Sequence, residues 1–178
     1  MKRLFLLIGI LSLFFLAGVK QTVGAVGPVP AATKIDYALP YPGVLPDHPL
    51  YFMKRVRDAI LEVLIMEPVR KSEFYILQGD KRLEMGVMLV EQKKFALAET
   101  TVSKAEKYME KAVVGLTTYK INGGTVAPYV IEHVQKALAK HMEVLQELLA
   151  QVPDAQKSGM TSSIELTAKG QQEAKALQ

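Results

Sequence analysis

The chain contains no cysteine among its 178 residues. That excludes a disulfide framework, a lipidated cysteine and a thiolate metal site, so the fold must hold by packing alone. Histidine is scarce, with only His48, His133 and His141. No Glu-x-x-His pair accompanies them, and a di-metal carboxylate bundle site is therefore not indicated. Also missing are a Gly-x-Ser-x-Gly elbow, a Ser-x-x-Lys pair, a phosphate-cradling glycine loop and a dinucleotide fingerprint. The inventory leans against an enzyme and implies no cofactor.

Long apolar runs are equally rare. One extends from Leu4 to Val19, behind Met1-Lys2-Arg3 and ahead of Val23-Gly24-Ala25. Basic start, apolar middle and small closing residues form the pattern of a secretory signal peptide, expected over 1–25. An uncleaved anchor is the rival reading, because the run falls slightly short of the roughly 20 residues that span a bilayer. Export is expected either way, to the exterior, the periplasm or the cell envelope, with membrane attachment only through an uncleaved segment. Loss of Lys2, Arg3 and Lys20 lowers 22 basic residues to 19, against 18 acidic ones. So small an excess supports no nucleic-acid partner.

What remains suits one domain. A Pro-rich leader is expected over 26–46, where five prolines from Pro28 to Pro46, with Gly27 and Gly43 and Pro49 just beyond, block regular helix. Its Tyr37–Leu45 part is expected to dock as a strap, and 26–34 to stay mobile. A single helical domain then fills 47–178. Asp47 is placed to cap a first helix, with Leu50, Met53, Val56, Ile60, Val63 and Leu64 at helical spacing and Pro68 beyond it. Apolar residues lie almost all round its second half, which predicts burial on several sides or a partner surface.

The stretch Tyr41-Pro42-Gly43-Val44-Leu45-Pro46-Asp47-His48-Pro49-Leu50-Tyr51-Phe52-Met53-Lys54-Arg55-Val56-Arg57-Asp58 resembles the opening signature of a bacterial family of exported proteins known only as a domain of unknown function (5667). The likeness runs over about residues 37–112. It implies an extracytoplasmic helical domain and carries over no catalytic residue, substrate or cofactor.

A helical hairpin follows from the residues themselves. Val69, Ile76, Leu83 and Val90 recur every seven positions, with Ser72, Gly79 and Gly86 between them. Phe95, Val102, Met109 and Leu116 repeat the scheme with Ala98, Ala105 and Ala112. A reversal at Gln92–Lys94 pairs Gly86 with Ala98, Gly79 with Ala105 and Ser72 with Ala112. Glycine inside a helix costs about 1 kcal/mol relative to alanine, so its repetition points to close backbone approach. Asn122-Gly123-Gly124 then turns the chain into a helix from Pro128 to about Val152, whose seam includes His141 as its one polar member. A weaker fifth helix follows Pro153, with Gly159 and Gly170 expected to fray it. The fold expected is all-α, an antiparallel hairpin or small up-down bundle of four to five helices behind a Pro-rich leader.

Candidate sites are few. Lys54, Arg55 and Arg57, close to Tyr51 and Phe52, form the one compact basic cluster, fitted to an anionic envelope polymer or lipid head group, though Asp58 and Glu62 lie within reach to neutralise it. His141 is a weak metal candidate, with Glu73 or Asp80, set against the plainer reading of a satisfied core histidine. Glu106 with Glu110 and Glu143 with Glu147 read as solvated helix faces. The leading function is a non-catalytic exported helical module contacting an envelope protein or anionic envelope polymer. The alternatives are a metal-handling bundle and a tetratricopeptide-like binding unit, the latter from Lys94-Phe95 and Ala98, although only one such helix pair is visible.

Overall fold

A computed structural model of the protein describes residues 34–178. The expected signal segment, 1–25, and the start of the leader, 26–33, lie outside the described residues. Helices α1 Tyr51–Leu64, α2 Pro68–Glu91, α3 Phe95–Ile121, α4 Pro128–Gln151 and α5 Asp154–Lys175 follow one another, and the described residues contain no strand. Proline opens α2 and α4, where its missing N–H is no loss, and Pro153 precedes α5. Lys93 and Gly123 take positive φ at the two tight reversals.

Asp47 does not cap the first helix. The segment before it curls back through Tyr51 N–H to His48 O, 2.9 Å, so α1 starts at Tyr51 without a side-chain cap, and Asp47 pairs with Lys94 instead. His48 accepts the Leu50 N–H at its Nδ1, 3.1 Å away.

Four helices make the core. Helix α2 packs on α3, α3 on α5, α5 on α4 and α4 on α2, leaving α3 and α4 at opposite corners. Ser103 with Ser163 and Glu106 with Thr167 set α3 parallel to α5; Gln135 with Ala174 and Leu138 with Gln171 set α4 antiparallel to α5. Two antiparallel hairpins therefore lie side by side, joined across the diagonal by residues 122–127. This shared core is not the stacked arrangement of tetratricopeptide-like units.

The small-residue register holds the first hairpin. A Cβ on Gly79 would sit 3.2 Å from the Ala105 carbonyl oxygen and 2.8 Å from Met109 Sδ, and one on Gly86 would overlap Val102 and lie 3.9 Å from the Ala98 carbonyl oxygen. Ser72 sits against Gly115, one turn beyond Ala112. Helical side chains lean toward their own N-terminus. In an antiparallel pair that lean carries Ser72 toward the later residues of α3. Gly159 and Gly170 do not fray α5. They admit Glu99 and Leu138, which bring α3 and α4 close to its backbone.

A polar layer crosses this core. His141 on α4 is fully buried, its Nδ1 2.8 Å from Glu106 Oε1 on α3 and its Nε2 3.1 Å from Asp80 Oδ1 on α2. Thr167 on α5 donates to Glu106 Oε2 at 2.7 Å, and Tyr37 of the strap donates to Asp80 Oδ2 at 2.5 Å. Every carboxylate oxygen has a donor. Because the Tyr37 proton goes to Asp80, His133 Nε2 is left to donate to the phenol oxygen, 3.1 Å away. The strap is tied a second time by Ile35 N–H to Glu143 Oε2, 2.7 Å. Glu106 is thus an interior residue and not part of a solvated face with Glu110. Its counter-charge comes from another helix, a partner that spacing along α3 cannot reveal.

Burial opposes the charge on His141, but the Glu106 and Asp80 carboxylates outweigh it and push the imidazole up to about 9. The stability this gives is complete below the ordinary value of 6.5 and is lost as pH rises through about 9. Denaturant unfolding of the native chain is therefore expected to show a loss on the order of 3 kcal/mol across that window. The variant His141→Leu should flatten the slope and cost about 3–5 kcal/mol at neutral pH, since it leaves two buried carboxylates without a counter-charge. A native midpoint that stays constant through the window would contradict a charged imidazole. Separately, Gly86→Leu should lower stability by about 1–3 kcal/mol through overpacking against Val102, read as a fall in thermal midpoint.

Candidate functional site

Helix α1 meets the bundle with its polar side. At 3.6 residues per turn, Tyr51, Arg55, Asp58 and Glu62 share one face while Phe52, Met53, Val56, Ile60, Val63 and Leu64 share the other. The first set turns inward. Asp58 is buried and accepts from Arg57 Nη2 at 2.7 Å, with Arg82 Nη2 on α2 at 4.0 Å. Glu62 Oε1 accepts from Tyr75 Oη on α2 at 3.0 Å and from Lys111 Nζ on α3 at 2.9 Å. Burial, then the Glu62 carboxylate, pushes the Tyr75 phenol up to about 12. The apolar set, expected in part to be buried, faces solvent: Ile60 is 54% exposed, Val63 75% and Met66, just past the helix, 87%.

Between α1 and the hairpin lies a groove of about 460 Å³. Tyr51 and Arg55 line it from α1, Arg82 from α2, and Lys104, Lys107, Tyr108 and Lys111 from α3, with Pro46 and Leu97 at its edges. Among the described residues it is lined by five cations and no carboxylate. Arg82 is held in place by its own partners: it stacks 4.3 Å over the Tyr108 ring and donates from Nη1 to Gln78 Oε1 at 2.6 Å. Lys111 lies 5.2 Å from the ring centres of both Tyr75 and Tyr108. Arg55, Lys104 and Lys107 are exposed, and none has an ion-pair partner among the described residues. Lys104, Lys107 and Lys111 follow i, i+3, i+7 spacing, which puts them in one row about 10 Å long.

The groove divides the basic cluster read from the sequence. Tyr51 and Arg55 belong to it. Lys54 does not, because its Nζ donates to the Pro42 carbonyl at 2.7 Å, where burial lowers its pKa to about 8. Arg57 is taken by Asp58, and Phe52 points to the apolar side. Sequence reasoning missed Arg82, Lys104, Lys107, Tyr108 and Lys111. The lysine row was visible as a pattern, but the same pattern marks any solvated face.

The remaining candidates fare differently. His141 has both ring nitrogens committed to Asp80 and Glu106, and no polar atom of Glu73 reaches it. A wider cleft of about 660 Å³ lies beside Gly124, Val126 and Gln135, yet its lysine, Lys120, already donates to the Leu177 carbonyl at 2.7 Å. The smaller groove therefore differs from it in keeping three cations, Arg55, Lys104 and Lys107, without an acidic partner among the described residues.

No curated protein matches the chain, and no solved structure does. The family profile described as Domain of unknown function (DUF5667) matches residues 43–155. That span begins within the Tyr41–Asp58 signature, contains every residue lining the groove and runs beyond the expected limit near Ala112 through α4. The chain belongs to the family of the domain of unknown function DUF5667.

Proposed function

We propose that the protein is a non-catalytic helical module, exported to the cell envelope or exterior, that holds an anionic polymer in the groove between α1 and α3. The observation that carries this reading is one-sided charge: Arg55, Lys104 and Lys107 stand without acidic partners beside two tyrosines. Arginine presents a planar fork that grips phosphate or carboxylate by two bonds, whereas lysine supplies mobile point charges. A row of lysines suits successive charges along a polymer better than one small anion. Export is supported by the signal-like pattern of 1–25 and by the resemblance of the Tyr41–Asp58 stretch. Mass spectrometry of the protein recovered outside the cytoplasm should then give a first residue of Val26; a mass that retains Met1 would replace release by a tether.

Polyglycerol phosphate is a suitable probe, measured by titration calorimetry against inorganic phosphate as the small-anion control. Binding of the polymer should weaken steeply between about 50 and 200 mM salt, as expected when several counterions are displaced. Charge reversal of the three unpaired cations, Arg55→Glu with Lys104→Glu and Lys107→Glu, should weaken it at least tenfold on the order of 0.5 kcal/mol or more per site. Lys136→Glu, on α4 and away from the groove, should leave it within twofold. Binding unaffected by the triple reversal would reject the groove.

A further inference from the structure

We infer that the outward face of α1 is an interface with a second copy of this chain. Met53, Val56, Ile60 and Val63 follow three-four-three spacing, the seam of a packed helix pair, and Phe52 and Leu64 widen it. All six are more than half exposed. A contiguous apolar face of this kind exceeds what an isolated soluble domain ordinarily presents.

Charge selects the occupant. Among the described residues, the one ion lining the face, Arg57, is already paired with Asp58 of its own helix, 2.7 Å away. The face therefore offers neither attraction nor discrimination to an acidic or basic partner. A lipid surface fits poorly as well. An interfacial helix is ordinarily flanked by basic side chains that meet anionic head groups, but here Lys54 donates to the Pro42 carbonyl and Arg57 is paired with Asp58. An uncharged, self-complementary stripe is what a two-fold helix pair requires, because each copy supplies the same surface. With Leu50, Leu61 and Met66 also exposed around the seam, two copies offer enough apolar area to clear the roughly 1,000 Å² of a specific interface.

The geometry has a consequence for the groove. Tyr51 and Arg55 line the groove from the inward side of the same helix, so pairing through the outward side leaves both grooves of a dimer open. If the groove takes a polymer, two sites on one particle raise its avidity without any new contact. The pairing itself stands independently of that ligand.

Sedimentation equilibrium of the full chain, in the form the cell exports, should give a dimer. Replacing Val56 and Ile60 by aspartate should give a folded monomer with unchanged helix content, since both side chains are exposed in the single chain, and a thermal midpoint that no longer depends on protein concentration. The chain's lack of cysteine provides a second readout: a Val56→Cys, Ile60→Cys variant should form an interchain disulfide under mild oxidation in either helix orientation. A monomeric native protein would overturn the inference, as would a dimer that survives the two aspartates. Monomers that sediment with phosphatidylglycerol vesicles, and lose this with the aspartates, would assign the face to lipid instead. Polyglycerol phosphate binding measured on the aspartate variant separates this inference from the groove: a monomer that still binds keeps the groove reading, whatever becomes of the dimer.

Discussion

One imidazolium held between two carboxylates sets the terms for the rest of this fold. His141, Asp80 and Glu106 come from three different helices, Thr167 from the fourth, and Tyr37 from the strap. Replacing such a group by well-packed apolar residues often costs nothing, whereas removing one member leaves a buried charge unmatched. Its contribution is therefore better seen in arrangement than in net stability. Two amphipathic hairpins can bury their stripes in more than one relative placement. Only a placement that brings α4 between α2 and the layer of Glu106 gives both acids their shared proton donor. The layer lies between two apolar clusters, one around Ile76, Met109 and Leu138 and the other around Leu83, Val102 and Leu145. A sliding hairpin would push these charges into hydrocarbon.

Once four helices have satisfied one another, α1 has no apolar seat to enter. Its attachment is polar instead, through Asp58 and Glu62 to Arg82, Tyr75 and Lys111. Such a helix stands slightly off the bundle on long side chains, and the space beneath it becomes the groove. The same inversion sends its apolar side outward. Groove and exposed stripe are thus two faces of one packing decision. Turning α1 over would take Glu62 away from Tyr75 and Lys111 and Asp58 from Arg82, leaving the buried Arg82 without its nearby carboxylate.

Much of the helical core was legible in the sequence because it rests on local periodicity. The seven-residue alternation of large and small residues placed Gly79 beside Ala105, and prolines and glycines marked the helix limits. The polar layer was not legible in the same way. Glu106 is i, i+4 to Glu110, as surface pairs commonly are, and nothing along α3 shows that one of them meets a histidine 35 positions away. The face of α1 was ambiguous for a related reason. Periodicity identifies an apolar stripe without saying whether the molecule's own core has room for it. The groove needed three helices at once, and only Tyr51 and Arg55 of the sequence cluster survive in it, since the carbonyl of Pro42 and the carboxylate of Asp58 claim Lys54 and Arg57.

A chain without cysteine holds its strap and first helix by ionic and hydrogen-bonded ties, and these differ in what disturbs them. Salt at physiological strength screens exposed charges beyond roughly 8 Å but reaches buried ones far less. The cations at Arg55, Lys104 and Lys107 are open to that screening; Asp80, His141 and Glu106 are not. Ionic strength can therefore weaken the field of the groove while the core layer stays intact. Alkaline pH acts in the opposite order, since the imidazole loses its proton near 9 while the groove's arginines keep theirs. The loosening would begin where His141 meets Asp80, and Tyr37 shares that carboxylate, so the strap is the first external element to lose its anchor. The field of the groove and the integrity of the fold are thus governed by separate variables, because one set of charges lies in solvent and the other is enclosed by four helices.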